Sequence, residues 1–78
     1  MDKWEPLENF LAGSSSLGDF MFMHCSDAGG VRIFSYKHRN TRRYLYLDTR
    51  GNCYAISGAV GENFIKIEPQ DALAYVLS

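Results

Sequence analysis

No apolar run in this chain approaches the roughly 20 residues that a membrane-crossing helix needs. Its opening, MDKWEPLENFLAG, lacks the basic start and long apolar stretch of a secretion signal. Both absences point to a cytoplasmic protein with no membrane partner. Cysteine is scarce: Cys25 and Cys53 lie too far apart to form a redox pair, and two are too few for a disulfide-built scaffold. Two free, buried thiols are expected, because unpaired cysteine behaves as a small hydrophobe. Charge of one sign is also missing. A net charge of −1 does not supply the whole-molecule attraction to phosphate on which a dedicated nucleic-acid binder depends.

Chemical motifs are missing too. His24 and Cys25 are adjacent, so on a strand their side chains point to opposite faces, which is a poor start for a zinc site or a Cys–His nucleophile. The polar stretch GSSSLG at 13–18 has no strand before it and no lysine after it, and reads as a loop rather than a phosphate cradle. No cofactor or metal is expected. One enzymatic reading retains some physical content, a small metal-independent ribonuclease with His38 as acid or base and Arg39, Arg42 or Arg43 on the phosphate. It lacks a second acid or base unless His24 or Tyr44 converges on the same spot.

What the chain does have is the composition of a folded protein. It is 46 % hydrophobic, 14 % aromatic and 22 % charged, outside the range of disordered segments. Seventy-eight residues make one domain, spanning 1–78, with little stability to spare. Its charge is segregated. Residues 1–30 carry one lysine against five acids; residues 31–50 carry Arg32, Lys37, Arg39, Arg42, Arg43 and Arg50 against Asp48; residues 51–78 carry Lys66 against three acids. A basic island with a charge of +5 therefore sits between flanks of −4 and −2.

The hydrophobic pattern gives the elements. WEPLENFLAG predicts a short helix, with Pro6 at a first helical position, Glu8 in the first turn, Gly13 closing the end, and Trp4, Leu7, Phe10 and Leu11 on one side. Phe20–Cys25, Val31–His38, Arg43–Asp48, Cys53–Ser57 and Phe64–Glu68 recur at about ten-residue intervals, each bounded by turn residues, as in an antiparallel meander. EPQDALAYVLS then changes period and predicts a C-terminal helix behind Pro69 and Asp71. The fold class is α+β: a five-stranded antiparallel meander sheet with a short N-terminal helix and a C-terminal helix packed on one face.

Turn chemistry sets the register. DTRG places Asp48 and Gly51 where a three-residue hairpin loop with a bulge requires them, so Asp48 faces Asn52. The expected pairs are then Leu47 with Cys53, Tyr46 with Tyr54, Leu45 with Ala55 and Tyr44 with Ile56. On the other side His38 opposes Arg43, so Lys37 meets Tyr44, Tyr36 meets Leu45, Ser35 meets Tyr46 and Phe34 meets Leu47. One face becomes Phe34, Tyr36, Leu45, Leu47, Cys53 and Ala55, the seat for the helices. The other carries Ser35, Lys37, Tyr44, Tyr46, Tyr54 and Ile56.

Tyrosine offers broad contact area and a water-tolerant tip, and arginine and tyrosine are enriched in interface hot spots. An exposed tyrosine ladder beside a basic loop is therefore the expected contact surface: Lys37, Arg39, Arg42, Arg43, Tyr44, Tyr46 and Tyr54. The function this favours is a non-catalytic protein–protein module of the inhibitor or adaptor type. Its partner would be a larger protein with an acidic patch, nucleic-acid-handling proteins included. Direct RNA or single-stranded DNA binding through the same hairpin is the alternative. Cross-strand aromatic pairs can also do no more than stabilise a half-wet sheet. An unpaired edge strand would offer a route to a homodimer.

Overall fold

The computed structural model describes residues 3–12, 16–57 and 63–78. The elements follow in the order α1 (Glu5–Phe10), a single 3₁₀ turn (Ser16–Asp19), β1 (Phe20–Ala28), β2 (Val31–His38), β3 (Tyr44–Leu47), β4 (Cys53–Ser57), β5 (Asn63–Ile67) and α2 (Pro69–Leu77). The five strands form one antiparallel sheet in sequential order, with β1 and β5 at its edges. The α+β meander is the architecture expected from the sequence. Both helices carry a proline in the first turn, Pro6 and Pro69, where its missing N–H costs nothing.

Alternation along the strands decides which side chains are inside. Phe34, Tyr36, Leu45, Leu47 and Cys53 point to one face and are buried there with Leu7 and Leu11 from the N-terminal segment and Ala72 and Val76 from α2. Both helices therefore cover the same face. Trp4 and Phe10 pack at the margin of this core. Tyr36 is fully buried, and its hydroxyl donates to the Lys3 carbonyl at 2.7 Å, pinning the chain just before α1 to the middle of the sheet. A bulge at Met23 adds one residue to β1, and beyond it the pairing resumes as His24 with Ser35 and Cys25 with Phe34. The β1–β2 turn is formed by Gly29 and Gly30, both at positive φ (59° and 86°), the conformation that a tight two-residue hairpin demands.

Several local expectations change. β1 extends three residues past Cys25, because the turn is confined to the two glycines. Ser16–Gly18 belong to the 3₁₀ turn and not to an open loop, while Gly13 and the rest of that stretch lie outside the described residues. Cys25 is exposed and Cys53 alone is buried: β1 is an edge strand, and among the described residues no strand pairs with its outer side. The pairs Leu45–Ala55 and Tyr44–Ile56 do not form. The β3–β4 ladder consists of Tyr46–Tyr54 and Leu47–Cys53 only, although β3 pairs with β2, and β4 with β5, along their full lengths.

Position in the sheet sets the cost of truncation. Leu47 and Ile65 share the helix-covered face by alternation, yet Leu47 is fully buried and Ile65 is 51 % exposed on the edge strand. Leu47→Ala should lose about 2–5 kcal/mol by urea denaturation, and Ile65→Ala about 0.5 kcal/mol or less. Equal losses would show that the core is not centred where these contacts place it.

Candidate functional site

The β3–β4 loop is built around one carboxylate. Asp48 is buried, and its Oδ1 accepts from the Arg50 N–H at 2.8 Å and the Asn52 N–H at 2.9 Å. Its Oδ2 accepts from Asn52 Nδ2 at 2.9 Å and from the Tyr54 hydroxyl at 2.8 Å. Gly51 supplies the positive φ (86°) that closes the loop. Burial alone would raise the Asp48 pKa, but hydrogen bonds from Asn52, Tyr54 and Arg50 outweigh it and hold the carboxyl below the usual range. Tyr54 is shifted in the opposite sense, first by burial and then by its bond to the Asp48 anion.

The β2–β3 loop is organised by His38. As acid or base of a ribonuclease this histidine would have to be accessible. Instead the ring is buried, lies edge-on to Phe20 at 5.0 Å, and accepts at Nδ1 from the main-chain N–H groups of Asn40 (3.2 Å) and Thr41 (3.4 Å). The imidazole is thus a structural cap for the four-residue loop, which closes through Arg42 N–H to the His38 carbonyl with Arg42 at φ 64°. Thr41 Oγ1 donates to the Val76 carbonyl, and Arg43 Nε donates to the Ser78 carbonyl at 3.4 Å. The Arg43 guanidinium lies over the Tyr75 ring at 4.6 Å. The basic loop is fastened to the end of α2.

The tyrosines occupy the face opposite the helices, as the register requires, but they are half-buried and not an open ladder. Tyr44 and Tyr46 stack at 5.8 Å with an interplanar angle of 14°. Phe64 from β5 meets Tyr46 edge-on at 5.4 Å and Tyr54 at 6.4 Å. This aromatic cover is why the rings are only partly wet. Lys37 extends over Tyr44 at 5.9 Å. Ser35 and Ile33, on the same side by alternation, are buried as well.

Where β3 and β4 part, a cleft of about 590 Å³ opens, a volume in the range of small-ligand and side-chain pockets. Leu45, Ala55, Ile67, Ala72 and Tyr75 line it from the helix side, and Tyr44, Tyr46, Tyr54 and Ile56 from the other, with Thr41, Arg42 and Arg43 at its mouth. The Tyr46 hydroxyl pKa is raised by burial first, then by neighbouring Tyr44 and by Tyr75 across the cleft. Five of the seven residues expected at the site therefore share one cavity: Arg42, Arg43, Tyr44, Tyr46 and Tyr54. Lys37 borders it through Tyr44. Arg39 stands apart, its N–H bonded to the Asp19 carbonyl at 2.8 Å. Tyr75, Ile56, Ile67 and Ala72 were missed as site residues, since no local pattern indicates that a strand ladder will stop after two pairs.

A second hollow runs between the β3–β4 loop and the start of α2, past Cys53, Lys66 and Asp71. Burial first, and then the Asp48 charge, push the Cys53 thiol up to about 11, so it stays protonated and is a poor nucleophile at neutral pH. Among the described residues, no three His, Cys, Asp or Glu side chains lie together as metal ligands, and no helix is long and apolar enough to cross a membrane. The chain matches no protein-family model, and comparison with curated proteins and with solved structures returns no significant match.

Two measurements check this electrostatic picture. Asp48→Asn should cost about 2–3 kcal/mol at pH 7, because buried donors then face an amide. The native Asp48 pKa lies below the unfolded value near 4, so its contribution is full above that pH and fades as the native carboxylate protonates. The stability gap between the two proteins should therefore narrow as pH falls below about 4, and the Tyr54 pKa in the variant should drop toward the ordinary tyrosine value. In the folded native chain at pH 8, iodoacetamide should label Cys25 and spare Cys53, as read by mass spectrometry, with Cys53 reacting only after unfolding.

Proposed function

We propose that this chain is a non-catalytic protein-binding module that docks the mouth of the β3–β4 cleft, with its arginines and tyrosines, onto an acidic patch of a larger protein. The observation that carries this reading is the cleft itself. It gathers Arg42, Arg43, Tyr44, Tyr46 and Tyr54 around an apolar interior in a chain whose net charge is −1. A desolvated aromatic centre with a cationic rim is the anatomy of an interface hot spot. Arg42 is exposed, and its guanidinium has no ion-pair or hydrogen-bond partner among the described residues. It is available to meet a carboxylate.

The same geometry bears on the alternatives. Base stacking needs free ring faces, whereas Tyr44 and Tyr46 cover one another and Phe64 stands against Tyr46 and Tyr54; this favours a protein partner over single-stranded nucleic acid. His38, as the loop's buried cap, is already committed to two main-chain donors, which weighs against the ribonuclease reading.

The test is a nuclease-treated pull-down comparing the native chain with a bait in which Arg39, Arg42 and Arg43 are all glutamate, both shown to be folded by circular dichroism. Partners captured by the native bait should be acid-rich at their contact surface and lost from the variant. Identical partner lists would remove the basic loop from the function. Salt-sensitive retention on an oligonucleotide column, with no protein captured, would replace the proposal with the nucleic-acid reading.

A further inference from the structure

The fork between β3 and β4 leaves main-chain groups as well as side chains facing the cleft. The His38 N–H donates to the Arg43 carbonyl and the His38 carbonyl accepts from the Arg42 N–H, both at 2.9 Å, so His38 takes the bonded position opposite a bulge at Arg42 and Arg43. Antiparallel ladders alternate bonded and non-bonded pairs; Lys37–Tyr44 is therefore non-bonded, and the N–H and C=O of Tyr44 point away from β2, toward β4. From the other end, the Asp48 N–H donates to the Asn52 carbonyl at 3.1 Å. Leu47–Cys53 is then non-bonded, Tyr46–Tyr54 bonded, and Tyr44–Ile56 would be the next bonded pair. That pair is absent. Tyr44 and Ile56 thus both direct a donor and an acceptor into the cleft, and neither meets the other.

We infer that this fork is the recognition element of the docking face, and that its occupant is an extended peptide strand of the partner carrying an acidic side chain beside an aliphatic one. Main-chain pairing to a strand edge supplies affinity, and pockets for alternate side chains supply specificity. The fork offers both. Tyr44 and Ile56 present the edges; Leu45, Ala55, Ile67 and Ala72 form an apolar floor for an aliphatic side chain. Arg42 and the outer nitrogens of Arg43 stand at the mouth for a carboxylate. Charge complementarity selects the acidic strand: among the described residues no carboxylate lines the cleft, and a basic strand would meet two arginines. The inference rests on the docking reading above and adds the kind of segment that is bound.

The probe is a phage-displayed library of random heptapeptides selected on the immobilised chain, followed by ¹H–¹⁵N NMR with the synthesised winners. Acidic and aliphatic residues should alternate in the selected sequences. The winners should shift the Tyr44 and Ile56 amides and slow their hydrogen exchange, and N-methylation of the central peptide residue should abolish binding. Arg42→Glu, at an exposed loop position, should weaken binding about tenfold or more. No enrichment, winners without acidic residues, winners that leave those two amides unshifted, or full affinity after N-methylation would each overturn the inference. So would a single-stranded oligonucleotide that shifts the same amides when peptides do not. Arginine-dependent capture of a protein with the fork amides unmoved would discard the fork and keep the docking reading; loss of both would discard both.

Discussion

The Asp48 carboxylate is the constraint on which the rest of the sheet depends. A strand's side-chain period is two, so a slip of one residue at this loop would carry Leu45 and Leu47 into water and the tyrosines under the helices. Four hydrogen bonds to one buried anion leave little freedom for such a slip, because any other loop length would strand the charge without its donors. The bond from the Tyr54 hydroxyl extends the constraint one step into β4 and ties the loop to the face that carries the candidate site. Fold and site therefore share one electrostatic anchor.

His38 does for the β2–β3 loop what Asp48 does for the next one, with a ring nitrogen as acceptor in place of a carboxylate. Its buried ring holds the loop so that Thr41 and Arg43 reach the last residues of α2. A helix this short has little independent stability; the clamp and the burial of Ala72 and Val76 supply what propensity does not. Arg43, at the candidate site, is thus positioned by the packing of a helix distant in sequence and is not carried on a free loop.

The parts of this structure legible in the sequence are those governed by local rules. Gly29–Gly30, the DTRG loop, the prolines in the first turn of both helices and the two-residue alternation are properties of neighbouring residues, and they led to the observed strand order, the parity of the register and the choice of buried face. The parts that were not legible depend on contacts between distant segments. Nothing near Tyr46 announces that Phe64, eighteen positions on, will cover it, and so the tyrosines read as open. His38 looks solvated among Lys37, Arg39 and Arg43 until Phe20 is placed beside it. Parity indicates which residues would face each other across β3 and β4 but not how far the ladder continues.

That last gap is where the candidate function lies, and it has a structural logic. α2 contacts both β3 and β4, and Ala72 and Tyr75 stand in the space between them, while β5 draws β4 along its whole length toward the edge of the sheet. β3 is held by a full ladder to β2. The two halves of the sheet are joined by the Asp48 loop and the two pairs beside it, and diverge beyond. A continuous ladder would have satisfied Tyr44 and Ile56 internally and closed the cleft. Stopping it after two pairs costs main-chain hydrogen bonds whose net contribution is about 1 kcal/mol each, a considerable fraction of the stability of a domain this small. The unpaired stretch faces a groove that is apolar within and cationic at its mouth, so the bonds forgone in the free chain are the ones a bound strand would complete.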